Sequence, residues 1–268
     1  MAKPFFIDQD FFAQQSLGGR KEQQDCYSFS ILEGNATTGV SLLLLTLADG
    51  MGGHFGGRVA GQTALKAFVD TYFSQVDGMG NPARSDNPAE QLKKALTGAN
   101  AALDALIISD LASLSEAGTT LLSLVLDRQS VYWISVGDSP FFVWRKGQLT
   151  RLNADHSMRA VLARKAAAGQ MRAADIDTHP HRNGLLSALN GLEPEMVDNP
   201  STPFVLASGD ILLAASDGLL TLKEEEISTL LDYNRSATAE QIVQTLLTVI
   251  KKRGLASQDN ATIAAIKL

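Results

Sequence analysis

Apolar positions along this chain recur with two different periods, and the switches between them lay out the elements. Val59, Ala60, Ala64, Leu65, Phe68 and Tyr72 recur at helical spacing. Leu92, Ala95, Leu96, Ala99, Leu103 and Leu106 do the same. They follow Asn87-Pro88-Ala89-Glu90, which offers a cap, a first-turn proline and a glutamate placed for a capping box. Between these helices, 78–87 is rich in Gly, Pro, Asn and Ser and reads as a surface loop. Strand signals are shorter. Residues 26–31 alternate, 40–48 form a continuous apolar run suited to a buried strand, and 119–126, 130–136 and 141–144 are short strands. Asp127-Arg128-Gln129, Gly137-Asp138-Ser139-Pro140 and Lys146-Gly147 separate or follow them as turns. Phe5, Phe6, Ile7, Phe11 and Phe12, set among polar residues, predict an edge strand or a packed arm at the start of the chain.

The second half repeats this grammar. Residues 154–168 fit a helix, and 170–183 are polar and irregular, so a candidate mobile flap spans about 156–185. Strands are expected at 204–207 and 211–215, followed by a short helix at 224–231. Thr238-Ala239-Glu240-Gln241 is a capping-box start for a helix with Ile242, Leu246, Val249 and Ile250 inward. Lys251, Lys252 and Arg253 complement its C-terminal dipole and Gly254 ends it. A strand at 261–268 closes the chain. Runs of strands interleaved with helix pairs imply an α+β fold of antiparallel sheets with helices on their outer faces.

Composition narrows the function classes. The 268 residues suit one domain, 1–268, and 45% hydrophobic with 19% charged residues suits a soluble globule with a large core. A net charge of −6 argues against a nucleic-acid partner. The apolar runs fall short of the roughly 20 residues of a membrane span, and the N-terminus meets acid too early for a signal peptide. Cys26 is the sole cysteine, so no internal disulfide and no thiolate zinc site is expected, and a cytoplasmic location follows.

The chemistry sits on aspartates. Leu42 to Ala48 is an apolar strand that delivers Asp49 to its own tip, followed by a glycine loop at 50–57. The run 211–215 likewise ends on Ser216-Asp217-Gly218. Asp25, Asp138 and Asp259 share the setting, each at a strand end or turn beside small or polar neighbours. A single Asp-Gly is as readily a plain turn. Five in one context point to a site, and carboxylates without a His or Cys ligand motif suit hard cations such as Mg²⁺ or Mn²⁺. Two such ions can clamp a phosphoryl group, and Arg20 offers a planar fork for phosphate oxygens. The glycine loop lacks the Gly-Lys-Ser/Thr ending of a nucleotide P-loop, no Gly-x-Gly-x-x-Gly follows a strand, and no Gly-x-Ser-x-Gly elbow is present.

Taken in order, Arg20, Gln24-Asp25, Ala48-Asp49-Gly50-Met51-Gly52-Gly53-His54, Ala117-Gly118-Thr119-Thr120 and Val136-Gly137-Asp138-Ser139 form the first half of a recognisable series. Asp155-His156-Ser157, His179-Pro180-His181-Arg182-Asn183, Ala188-Leu189-Asn190-Gly191, Gly209-Asp210, Ser216-Asp217-Gly218-Leu219 and Asp259-Asn260-Ala261-Thr262 complete it. The series resembles the metal-dependent protein phosphatase family of PP2C type, in its compact bacterial form. The resemblance implies a four-layer αββα sandwich, two antiparallel sheets flanked by helix pairs, with two or three Mn²⁺ or Mg²⁺ ions at one end. It also implies that Asp49 bridges two ions, with Asp217 and Asp259 completing one site, the Gly50 carbonyl serving the other, and Asp138 joining Asp217 at a third. Asp25 would hydrogen-bond a metal-bound water and Arg20 would hold the substrate phosphate. The implied reaction is in-line attack of a metal-activated water on phosphoserine or phosphothreonine in a phosphoprotein, opposing a Ser/Thr kinase. A monomer is expected.

Some positions depart from the family pattern. Gln24 stands where many members have Glu, and Pro140 where Arg is common. Met51 replaces a histidine proposed as general acid in eukaryotic members, which leaves the proton donor unassigned. His54 is read as orienting the glycine loop or as a structural hydrogen bonder, and Asp155 with His156 as fixing the start of the flap. His179, His181 and Arg182 either steer phosphopeptides or form a solvated face. Two rivals remain: a pseudo-phosphatase that only binds partners, from which lost aspartates are expected, and a metal-dependent hydrolase of small phosphoesters.

Overall fold

A computed structural model describes residues 5–33, 41–52, 54–75 and 87–268, the side chains of 32, 33, 41, 54 and 55 excepted. The loop expected at 78–87 lies outside the described residues save for Asn87. Two antiparallel sheets stack face to face. One has the order β1 (Phe11–Ser16), β11 (Ala261–Lys267), β10 (Ile211–Ala215), β7 (Phe141–Arg145), β8 (Gln148–Arg151). The other runs β2 (Asp25–Glu33), β3 (Ser41–Met51), β5 (Leu121–Leu126), β6 (Ser130–Val136), β9 (Phe204–Val205), with β4 (Gly118–Thr119) paired to the end of β3. Two long helices, α1 (His54–Ser74) and α2 (Pro88–Ser109), cover the outer face of the second sheet, and α3 (Leu111–Leu114) follows them. A short helix, α4 (Met158–Ala167), precedes α5 (Glu224–Tyr233) and α6 (Ala239–Lys252), which cover the first sheet.

Three apolar layers follow from this stacking. Leu44, Leu121, Val125 and Ile134 face Ala64, Phe68 and Leu103 of α1 and α2. On the opposite side, Leu213, Ile263 and Ala265 face Ile227, Ile242 and Leu246 of α5 and α6. Leu43, Leu45, Leu122, Phe141, Leu212 and Ala264 fill the space between the sheets. Because β3 is covered on both faces, its sequence is a continuous apolar run instead of an alternation. Truncating any leucine in the middle layer to alanine should cost about 2–5 kcal/mol.

Several boundaries differ from the sequence pattern. The glycine stretch at 50–57 is not a loop: the strand continues through Met51 and α1 starts at His54. The glycines let this helix start lie on the strand end, since a Cβ on Gly50 would sit 2.0 Å from the Gly57 carbonyl oxygen. The arm at the chain start is an edge strand, β1, with Phe5 buried in the middle layer. Strand β8 was not expected from the pattern; its four residues alternate only between half-buried and exposed at a sheet edge. Asn87 caps α2 by accepting from the Ala89 N–H at 3.1 Å, but no return bond from Glu90 closes the expected box among the described residues. The box at Thr238 and Gln241 is present.

Candidate active site

At one end of the sandwich the two sheets part around an open cleft of about 380 Å³. Asp49, Gly50, Met51 and Thr120 line it from the second sheet, Asp217, Asp259 and Asn260 from the first. Arg20, Gln24 and Asp138 come from turns, Asn183 and Leu185 from the segment after α4. All five residues read from sequence as metal ligands therefore border one cavity.

Asp49 owes its place to threonines. Its N–H donates to Thr120 Oγ1 at 3.1 Å, and its carbonyl accepts from the Thr120 N–H at 2.9 Å and the Thr119 hydroxyl at 3.0 Å. Thr120 Oγ1 lies 2.9 Å from Ser139 Oγ, which ties the tip of β3 to the turn carrying Asp138. His156 fastens that turn from behind: its backbone N–H donates to the Gly137 carbonyl at 3.1 Å and its ring Nδ1 accepts from the Gly137 N–H at 3.2 Å. Burial lowers the pKa of this ring, favouring the neutral form that such an acceptor requires. Arg151 holds Asp155 at 2.8 Å and donates to the Asp138 carbonyl at 2.8 Å.

Asp217 follows β10 at the start of a tight turn, Asp217–Thr221, pressed against Asn260: a Cβ on Gly218 would lie 2.0 Å from the Asn260 carbonyl oxygen. Asn260 in turn accepts from the Gln24 N–H at 2.9 Å and donates to the Leu17 carbonyl at 2.9 Å, fixing the turn that bears Arg20. Arg20 Nη2 donates to Asp259 Oδ2 at 2.6 Å.

Asp25 sits deeper. It is the cross-strand partner of Asp49, so the two side chains share the inner face of the sheet. Its Oδ2 accepts from the Ser216 and Thr262 hydroxyls, each at 2.7 Å. These hydroxyls come from the opposite sheet and stitch the two layers together behind the cleft. Burial still raises the Asp25 pKa, with the hydroxyls opposing it. Ser216→Ala/Thr262→Val is expected to leave Asp25 short of donors and destabilise the fold by about 1–3 kcal/mol, read by urea unfolding.

Like charges crowd the rest of the cleft. Asp49 is pushed well above the usual carboxylate range by burial, then by Asp25, Asp217 and Asp138. Burial, followed by Asp138 and Asp259, takes Asp217 to about 7; burial, followed by Asp155, takes Asp138 to about 6. Asp25 Oδ1 and Asp217 Oδ1 are buried with no hydrogen-bond partner. Among the described residues no three acidic, histidine or cysteine side chains are drawn into a finished ligand set. The arrangement is thus an all-oxygen, under-compensated pocket, and its donor chemistry fits hard divalent cations.

Other sequence-named residues fall elsewhere. The His54 side chain lies outside the described residues. His179 does not line the cleft; its Nδ1 accepts from the His181 N–H at 3.2 Å, and Arg182 donates to its carbonyl, closing the turn on itself. Thr120, Ser139, Ser216 and Thr262 belong to the motif series but had no role assigned from sequence, and Arg151 was not singled out. The signal for Ser216 and Thr262 was available: both are polar at inward positions of strands otherwise wholly apolar on that face.

A family model described as Protein phosphatase 2C matches residues 21–256. The chain belongs to that family. Among relatives of this Protein phosphatase 2C member, serine/threonine phosphatase stp of Listeria welshimeri is 29% identical over 226 residues, spanning 84% of each chain. The serine/threonine protein phosphatase PstP of Mycobacterium tuberculosis is 27% identical over 220 residues, 82% of this chain and 39% of that protein. In fold, the catalytic domain of PstP in complex with two manganese ions superposes with a TM-score of 0.70 at 24% identity, over 96% of each chain. Stp1 of Staphylococcus aureus gives 0.73 at 24% identity, over 100% of this chain and 97% of that one. The αββα sandwich of this Protein phosphatase 2C chain is shared with both.

Proposed function

We propose that the cleft hydrolyses phosphoserine and phosphothreonine esters of phosphoproteins, with Asp49, the Gly50 carbonyl, Asp138, Asp217 and Asp259 holding two or three Mn²⁺ or Mg²⁺ ions. The observation that carries this reading is the convergence of buried, mutually repelling carboxylates on one cavity beside a single arginine, Arg20. Metal-dependent protein phosphatase activity comes with the Protein phosphatase 2C family. When bound, divalent ions supply positive charge to the phosphoryl oxygens and make a neighbouring water acidic enough to attack at neutral pH.

The chain's own residues do the rest. Arg20, more than half exposed at the cleft mouth, swings between Asp259 and a phosphate monoester, whose oxygens its fork grips in two places. Asp25, held by Ser216 and Thr262 and paired across the strands with Asp49, backs the cleft wall and would steer a water bound beside Asp49. Thr119, Thr120 and Ser139 keep Asp49 and Asp138 in fixed register, so little reorganisation accompanies reaction. Met51, which lines the cleft, has no ionisable proton to give the leaving oxygen, so a water would have to supply it.

Residues 1–268 work as one domain with 156–185 as a flap over the cleft, to which it contributes Asn183 and Leu185. We place the protein in the cytoplasm as a monomer opposing a Ser/Thr kinase, without nucleic acid. In support, the net charge is −6 and no helix among the described residues is long and apolar enough to cross a membrane. The pseudo-phosphatase reading is disfavoured by retention of all four cleft aspartates.

The test is hydrolysis of a phosphothreonine peptide and of an aryl phosphate with Mn²⁺, with EDTA and with Asp217→Asn. Turnover that survives EDTA and the substitution refutes the metal reading; none at any Mn²⁺ concentration restores the pseudo-phosphatase. Arg20→Ala is expected to lower kcat/KM by about 10- to 100-fold, mostly through KM, and to weaken inhibition by inorganic phosphate.

A further inference from the structure

The catalytic cleft does not end at its metal-side wall. Met51 and Leu185 are shared with a second hollow, whose far rim is Leu192, Glu193, Pro194 and Glu195. Glu193 and Pro194 are shared in turn with a third, of about 540 Å³, between that rim and α2. The three hollows adjoin through these shared walls, so an extended chain laid across them would run from the carboxylate cleft past Met51 and Leu185 to the side of α2.

The rim is irregular backbone, yet it is tied down at every step. Leu189 exchanges two backbone hydrogen bonds of 2.9 Å with Thr119, beside the pairing that positions Asp49. Asn100 of α2 donates to the Leu192 carbonyl at 2.7 Å and accepts from the Gly191 N–H at 3.1 Å. Ser187 Oγ bridges the Met196 carbonyl at 2.8 Å and its N–H at 3.0 Å. Asp198, anchored by Trp133 Nε1 and the Ala154 N–H at 2.9 Å each, ends the loop. Ordering is therefore done before any ligand arrives, which lowers the entropy cost of binding.

What this fixed rim presents is unspent. Leu192 is 71% exposed, an apolar side chain held out into solvent by a backbone that is anchored on both sides. Neither Glu193 nor Glu195 makes a side-chain hydrogen bond or ion pair among the described residues. Beyond the cleft the lining carries three acids, Glu90, Glu193 and Glu195, against one base among the described residues, Lys93 of α2.

We propose that these adjoining hollows form the peptide-binding groove of the phosphatase and select phosphopeptides carrying Arg or Lys, next to an apolar side chain, on one side of the phosphorylated residue. The basic groups pair with Glu193 and Glu195, and the apolar group covers Leu192. Glu193 and Glu195 determine specificity and do not touch the reacting atoms. The proposal rests on the phosphatase reading, because only that reading seats a phosphorylated residue at the cleft end of the groove.

The experiment compares the full chain with Glu193→Gln/Glu195→Gln and Glu193→Lys/Glu195→Lys, all in Mn²⁺. Substrates are an aryl phosphate and phosphothreonine peptides of one length flanked by basic-apolar, neutral or acidic residues. The wild type is expected to prefer basic peptides, and the double Gln variant to lose about 5- to 10-fold in kcat/KM on them alone. The double Lys variant should invert the preference, and aryl phosphate turnover should be the same in all three. Equal kcat/KM on all peptides in wild type and variants overturns the groove and leaves the phosphatase standing. If nothing is hydrolysed, the phosphatase reading fails first. Anisotropy with phosphonate versions of the peptides then decides the groove: charge-dependent binding lost in the double Gln variant supports it, and unchanged binding refutes it.

Discussion

Asp49→Asn is expected to reduce turnover of a phosphothreonine peptide by on the order of 10³-fold or more, while making the metal-free protein harder to unfold. The two effects have one cause. Asp49 lies on the tip of β3, opposite Asp25 in the strand register, and faces Asp217 and Asp138 across the cleft. Its ionised form is what divalent ions require, and burial with three like charges is what penalises that form when they are absent. An amide keeps the shape, and the backbone bonds to Thr119 and Thr120 involve only the main chain at this position. In EDTA at pH 8 the variant should gain up to about 3 kcal/mol, the scale of an uncompensated buried charge after relaxation. Urea unfolding monitored by Trp133 and Trp144 fluorescence, beside the turnover assay, separates this from misfolding. A variant that loses activity and metal-free stability together would contradict the account.

The stability–function trade at Asp49 explains which parts of the site could be read without coordinates. Asp49, Asp138, Asp217 and Asp259 stand out in sequence jointly, because one Asp-Gly is as readily a turn but several carboxylates at strand ends and turns beside small or polar neighbours are not. Their supports do not stand out. Thr120 and Ser139 meet across a strand and a turn, and Ser216 and Thr262 cross from one sheet to the other to reach Asp25. Such contacts depend on how two sheets stack, which a one-dimensional pattern does not encode. The fold shows the same division. Helices α1, α2 and α6 place apolar residues at helical spacing over several turns, most sharply in α6, and were legible. Strand β8 is four residues at a sheet edge and gave no signal. The glycines at 50–57 were read as a loop because composition alone favours one. In the structure they allow α1 to start against β3, a tertiary reason that overrides the local one.

Chelated protein should lose stability steeply as pH rises from about 4 to 7, and Mn²⁺ should abolish that slope. Burial and like charges push Asp217 up to about 7 in the folded chain from an ordinary 3.8, and Asp138 to about 6. Between those limits the folded state holds protons that the unfolded chain has already released, so stability falls with rising pH. The contribution is fully present below about pH 4 and gone above about pH 7. For Asp217 alone the span corresponds to roughly 4 kcal/mol. Asp138 shares the same repulsion, so the two do not simply add. Bound divalent ions reverse the preference by favouring the ionised carboxylates, and at a thousandfold excess over Kd they stabilise the fold by about 4 kcal/mol. Urea midpoints at pH 5 and 8, in EDTA and in Mn²⁺, read both effects at once. Asp217→Asn should flatten the EDTA profile more than Asp138→Asn, since it removes the more elevated of the two groups. An EDTA profile that is level from pH 5 to 8 would mean that these carboxylates are not held together in the folded chain. The aspartates would then be surface turn residues, and the case for a shared cation site would fall with them.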